Sequence, residues 1–159
     1  MITFGRGPTY QSGEGPQLAV SEDKKAFTLT FSNLQAAVVD SGETAVAMRA
    51  FALVLPLEGD DKKATITFAI NAGVVTKAAA TATLVFDVNG QTAVSNFPAN
   101  TDLTHVQSLK VTADMPFQCR MSVWIVAGRD VKKRESAAFL NVIAIDAEIQ
   151  SSTPAPPHG

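Results

Sequence analysis

Leu84-Val85-Phe86-Asp87-Val88-Asn89-Gly90-Gln91-Thr92-Ala93-Val94-Ser95 is the stretch whose reading decides the fold. A run of β-branched and aromatic residues lies before Asn89-Gly90, and a Thr- and Val-bearing run follows it. Asn-Gly is the pair that best tolerates the two positive φ angles of a type I′ turn. Two antiparallel strands joined tightly at residues 89 and 90 are therefore predicted.

The same pattern extends in both directions. Phe27-Thr28-Leu29-Thr30-Phe31 and Thr65-Ile66-Thr67-Phe68-Ala69-Ile70 alternate large apolar side chains with hydroxyl or small ones, the period of a pleated strand buried on one face. Strands are expected at 18–20, 26–31, 34–39, 45–57, 64–71, 80–88, 92–96, 106–113, 118–127 and 137–149. The run Lys77-Ala78-Ala79-Ala80-Thr81-Ala82 suits a helix by residue type. β-Branched residues flank it closely, so a strand entry is preferred. The fold predicted is all-β, an antiparallel β-sandwich of jelly-roll type with about eight to ten strands.

A chain of 159 residues fits one domain with a full core. Residues 1–17 carry Gly5, Gly7, Pro8, Gly13, Gly15 and Pro16 with little apolar content, and read as an N-terminal extended arm in which Ile2 and Phe4 could pair as a short edge strand. The sandwich domain is placed at 18–150. Residues 151–159 end in Pro154-Ala155-Pro156-Pro157 and read as a flexible, polyproline-like tail. Asp23-Lys24-Lys25-Ala26 and Asp61-Lys62-Lys63-Ala64 each lead into a Thr-alternating strand. Two strands solving the same edge problem with lysines account for that echo better than a duplication does.

Composition narrows the function classes. A net charge of −2 gives no general attraction to nucleic acid or anionic lipid. No stretch approaches the roughly 18 apolar residues that would span a bilayer, and the first residues lack the apolar core of a signal peptide. The chain as given reads as soluble, with its compartment unspecified. One cysteine, Cys119, excludes an internal disulfide framework.

Candidate chemistry is sparse. His105 has Asp102 nearby in sequence but no nucleophile motif and no second ligand at metal spacing, so neither catalysis nor zinc is assigned to it. Cys119 sits in an apolar strand and reads as a small buried hydrophobe rather than a reactive thiol. Glu58-Gly59-Asp60-Asp61 offers oxygen ligands at a spacing that matches no calcium loop, with Lys62 and Lys63 following directly. Arg129, Lys132, Lys133 and Arg134 form a basic loop without interleaved aromatics. No glycine-rich phosphate loop occurs. No enzyme activity, cofactor, catalytic residue or metal is expected.

The charged fraction, 18%, falls below the roughly 25% usual for soluble domains, so much of the surface must be Ala, Thr, Ser, Gly and Val. Such a surface loses little on burial against a partner. The primary expectation is therefore a non-enzymatic structural module that self-associates or docks on a larger assembly, with Arg6, Tyr10 and Glu14 of the arm as contacts. The alternative is a small-ligand or carbohydrate-binding sandwich. Its weakness is a shortage of exposed aromatic platforms, because Trp124 lies within the apolar run Met121-Ser122-Val123-Trp124-Ile125-Val126 and is expected in the core.

Overall fold

The computed structural model describes residues 2–5, 9–12, 16–39, 43–114 and 118–153. Eleven strands lie within them. Among these residues no helix is long and apolar enough to cross a membrane. Three strands are short: β1 (Ile2–Phe4), β2 (Thr9–Ser12) and β3 (Gln17–Val20). Eight longer ones follow: β4 (Ala26–Val38), β5 (Val46–Gly59), β6 (Lys63–Lys77), β7 (Thr81–Val88), β8 (Gln91–Phe97), β9 (Asp102–Asp114), β10 (Gln118–Gly128) and β11 (Ala137–Thr153).

The eight long strands pair as one nested hairpin. β7 pairs β8, β6 pairs β9, β5 pairs β10 and β4 pairs β11, every pair antiparallel. Rolling that ladder brings β10 beside β7 and β11 beside β6, which closes two sheets. One sheet has the order β1-β5-β10-β7-β8 with β2 also on β5, and the other has the order β3-β4-β11-β6-β9. This is an antiparallel jelly-roll sandwich, the predicted fold. Its tip is the Asn89-Gly90 turn, where φ is 52° and 86° respectively, as a type I′ turn requires.

Strand period explains what fills the space between the sheets. Phe51 and Phe86 point inward from the first sheet, and Phe31 and Phe68 from the second. Their rings meet edge to face at 4.9 Å for Phe31–Phe51 and 6.1 Å for Phe68–Phe86. The boundaries differ from those expected at 17 and 150. Ile2 and Phe4 are buried through β1, with the Phe4 ring 4.8 Å from Phe27, because large apolar side chains at strand period gain more in the core than in an arm. At the other end β11 pairs with β6 as far as Thr153, while residues 154–159 of the expected tail lie outside the described residues.

Two local departures have simple causes. The predicted strands at 26–31 and 34–39 are one strand, β4, because the polar Ser32-Asn33 step is absorbed where the β4–β11 register shifts opposite Ile143. The alanine run at 77–80 forms a tight turn between the sheets: the Ala80 amide donates to the Lys77 carbonyl at 3.1 Å, with Ala78 and Ala79 at φ 46° and 66°.

Candidate functional site

β10 is the middle strand of the first sheet, and its alternation sets the site. Cys119, Met121, Val123, Ile125 and Ala127 are buried between the sheets. Arg120, Ser122 and Trp124 take the opposite parity and therefore face solvent. Trp124, expected in the core, is 54% exposed. Its neighbours across the ladder are Ala50 on β5 and Val85 on β7. A methyl group on one side cannot cover an indole, so the ring face stays open.

One step along β10, Ser122 stands opposite Asp87, which in turn stands opposite Thr92 on β8. Asp87 is held by two donors. The Gly90 amide donates to Oδ1 at 3.2 Å and the Thr92 hydroxyl donates to Oδ2 at 2.6 Å. Asn89 fastens the turn to β10: its Nδ2 donates to the Gln118 carbonyl at 2.8 Å, and its Oδ1 accepts from the Arg120 amide at 2.7 Å. Arg120 is exposed beyond Ser122, and no hydrogen bond or ion pair engages its guanidinium among the described residues.

These side chains line two grooves that share Asp87 and Ser122. One, of about 220 Å³, runs beside Trp124 with Val85 and Thr92. The other, of about 430 Å³, runs past Asn89, Gly90 and Arg120 over Ala52. Met48 and Val94 are also exposed on this sheet, so the aromatic ring sits in an apolar patch bordered by hydroxyl, carboxylate and guanidinium groups. The arrangement offers a flat apolar surface with donors and acceptors beside it. The sequence contained the clue: Trp124 shares parity with Arg120 and Ser122, and an Arg at that parity faces water.

The other candidates resolve differently. His105 joins the two sheet edges, its Nε2 2.9 Å from the Ser95 hydroxyl and its ring edge-on to Phe97 at 5.0 Å. Asp102 is three residues away on the same strand and so points to the opposite face, which removes the carboxylate that would orient the imidazole. Cys119 is buried, and burial pushes its thiol up from the ordinary 9.0 to about 12. Arg129, read as part of a basic loop, is buried instead. It ties that loop down, Nη1 donating to the Val39 carbonyl at 2.7 Å and Nη2 to the Lys133 carbonyl at 3.2 Å. Among the described residues no group of three or more His, Cys, Asp or Glu side chains could hold a metal ion. Arg6 and Glu14 lie outside the described residues, as does the side chain of Tyr10, whose backbone pairs with Leu53.

No family model and no curated protein matches the sequence. Solved structures do. A family 35 carbohydrate-binding module from an environmental isolate shares 16% identity over 99% of each chain, with a TM-score of 0.36. The family 35 module of Cellvibrio japonicus Abf62 shares 14% identity over 84% of this chain and 99% of its own, also at 0.36. The module TmCBM61, solved with β-1,4-galactotriose, shares 8% identity over 91% of this chain and 88% of its own, at 0.31. The expectation of a self-associating structural module is corrected by these neighbours, which lend no support to a homo-oligomer. These three solved structures are carbohydrate-binding modules, the class of the alternative reading. The objection raised against that alternative, the lack of an exposed aromatic platform, is removed by Trp124.

Proposed function

We propose that this protein is a non-catalytic carbohydrate-binding module whose binding face is the outer surface of the β5-β10-β7-β8 sheet. The observation that carries the reading is the open Trp124 ring at the centre of that sheet, bordered by Ser122, Asp87 and Thr92. A sugar ring has one face made largely of C–H groups and a rim of hydroxyls. An indole accommodates the first, and a carboxylate with neighbouring hydroxyl groups accommodates the second. Both are fixed on paired strands rather than loops, so little ordering is required when a ligand arrives. The modules that resemble the chain, one of them solved with a galactotriose, fit this reading.

The test is a glycan array read with the full chain, followed by titration calorimetry on every positive. Truncating an anchoring aromatic typically costs about 2 kcal/mol or more, so Trp124→Ala should weaken binding by about thirtyfold or more while leaving the thermal melt in place. An array without signal, with calcium and with chelator alike, would end the reading.

A further inference from the structure

The groove is longer than the Trp124 platform, and its far end is polar. Four residues separate Trp124 from Arg120, a distance of about 13 Å along an extended strand. One sugar ring cannot span that. The two halves of the groove meet at Asp87 and Ser122, so an occupant can pass from one to the other without leaving the surface.

The polar half has a specific chemistry. Asp87 is restrained by the Gly90 amide and the Thr92 hydroxyl, one on each carboxylate oxygen, and each oxygen keeps a lone pair for a further donor. Arg120 presents donors that no side chain or carbonyl engages among the described residues. Asp87 and Arg120 are diagonal neighbours across the β7–β10 ladder, about 7–8 Å apart at the backbone, with Ser122 directly opposite Asp87. They form no ion pair, and their charges cancel over the groove. An anionic group drawn to Arg120 would meet the Asp87 carboxylate, and a cationic group drawn to Asp87 would meet the guanidinium. Uncharged groups that both donate and accept meet neither penalty. Adjacent ring hydroxyls are such groups.

We infer that the groove takes an uncharged oligosaccharide of at least two units lying along β10, one ring on Trp124 and the next with its hydroxyls divided between Asp87 and Arg120. The inference rests on the carbohydrate-binding reading and adds the ligand's charge, its minimum length and its direction. Asp87 and Arg120 become the residues that select it.

The experiment is titration calorimetry of the full chain against gluco-, manno-, xylo-, galacto- and chito-oligosaccharide ladders of increasing length from the monosaccharide upward. Oligogalacturonides serve as the acidic counterpart, and each titration is run at low and high salt. The affinity should rise at least about tenfold between the single sugar and the short oligomer, then level off. Salt should change it less than about twofold, because no net charge is neutralised. Arg120→Gln breaks no side-chain hydrogen bond or ion pair among the described residues and should weaken oligomer binding about fivefold or more, and the single sugar less. Asp87→Asn should weaken both the oligomer and the single sugar, because the carboxylate also borders the Trp124 ring, with the thermal melt reporting any loosening of the hairpin. A monosaccharide that binds as tightly as its oligomer overturns the proposal, as does a preference for oligogalacturonides that fades with salt, or an Arg120→Gln protein that binds oligomers like the parent. If Trp124→Ala abolishes oligomer binding while Arg120→Gln leaves it intact, this inference fails and the carbohydrate-binding reading stands. If no probe binds, both fail.

Discussion

Ala79→Gly should stabilise the protein, against the usual expectation that trading alanine for glycine weakens a chain. Ala79 lies in the turn that carries the chain from β6 to β7, at φ 66°, a left-handed conformation that crowds any Cβ against the following carbonyl. That crowding costs roughly 1–2 kcal/mol for an ordinary residue, and glycine relieves it. Glycine also gives the unfolded chain more freedom, which takes back about 0.4–1 kcal/mol. The Ala79 side chain is exposed, so its removal forfeits little burial. The balance is a gain of about 0.5–1 kcal/mol, or roughly 1–4 °C in melting temperature for a chain of this size. Differential scanning calorimetry and urea unfolding on the parent and Ala79→Gly proteins measure it. The midpoint should move up with the urea slope unchanged. An equal or lower midpoint would falsify the argument that the left-handed turn is strained.

The same turn logic with opposite sign applies at the tip of the roll: Gly90→Val places a β-branched residue at φ 86° and should cost about 1–3 kcal/mol, read as a lowered urea midpoint. Cys119 should resist iodoacetamide in the native protein at about pH 8 and react promptly once the chain is unfolded, since burial holds its thiol up near 12. Because the folded value lies above the ordinary 9.0, the stability tied to this buried neutral thiol is fully present below 9.0 and is lost as pH rises through the folded value. Cys119→Ala should therefore show a shallower loss of stability between these limits than the parent, and identical alkaline slopes would refute the linkage.

The sandwich was legible because its signal is local and repeated. Asn89-Gly90 marks the one turn around which every other long strand pairs, and the Thr-alternating runs at 26–31 and 64–71 declare their buried faces directly. The pairing of β5 with β10 and of β4 with β11 was not legible, because contacts that far apart in sequence leave no local pattern. At 77–80 the residue types favoured a helix, while the fold needed a reversal between sheets and accepted two strained alanines to obtain it. Trp124 was misjudged for a different reason. Met121, Val123 and Ile125 belong to the core face, whereas Val126 and Trp124 belong to the other, so an apolar run in which both faces are apolar hides its own alternation. The polar residues at 120 and 122 were the only markers of phase. Arg6, Tyr10 and Glu14 stand out in the arm as side chains able to make specific contacts, and Arg6, Glu14 and the Tyr10 side chain lie outside the described residues.

The hairpin that announces the fold also shapes the proposed binding face. Asn89 uses both ends of its side-chain amide to extend the β7–β10 ladder past the last residue of β7, which fixes the backbone of Arg120 beside the turn. Gly90 and Thr92, just beyond, hold the Asp87 carboxylate from two sides. Of the polar groups we assign to ligand, Asp87 is thus oriented by the turn, Arg120 is positioned by it, and Ser122 is set opposite Asp87 by strand register alone. Trp124, two residues further along the same face, depends on β10 lying between β5 and β7, the arrangement that rolling the hairpin creates. The contacts that cap the turn and the contacts that hold the groove involve the same residues. That coincidence gives a physical reason for the proposed binding face at the tip of the roll on the first sheet, where rigidity required by the fold would lower the entropic cost of holding a flexible chain of sugars.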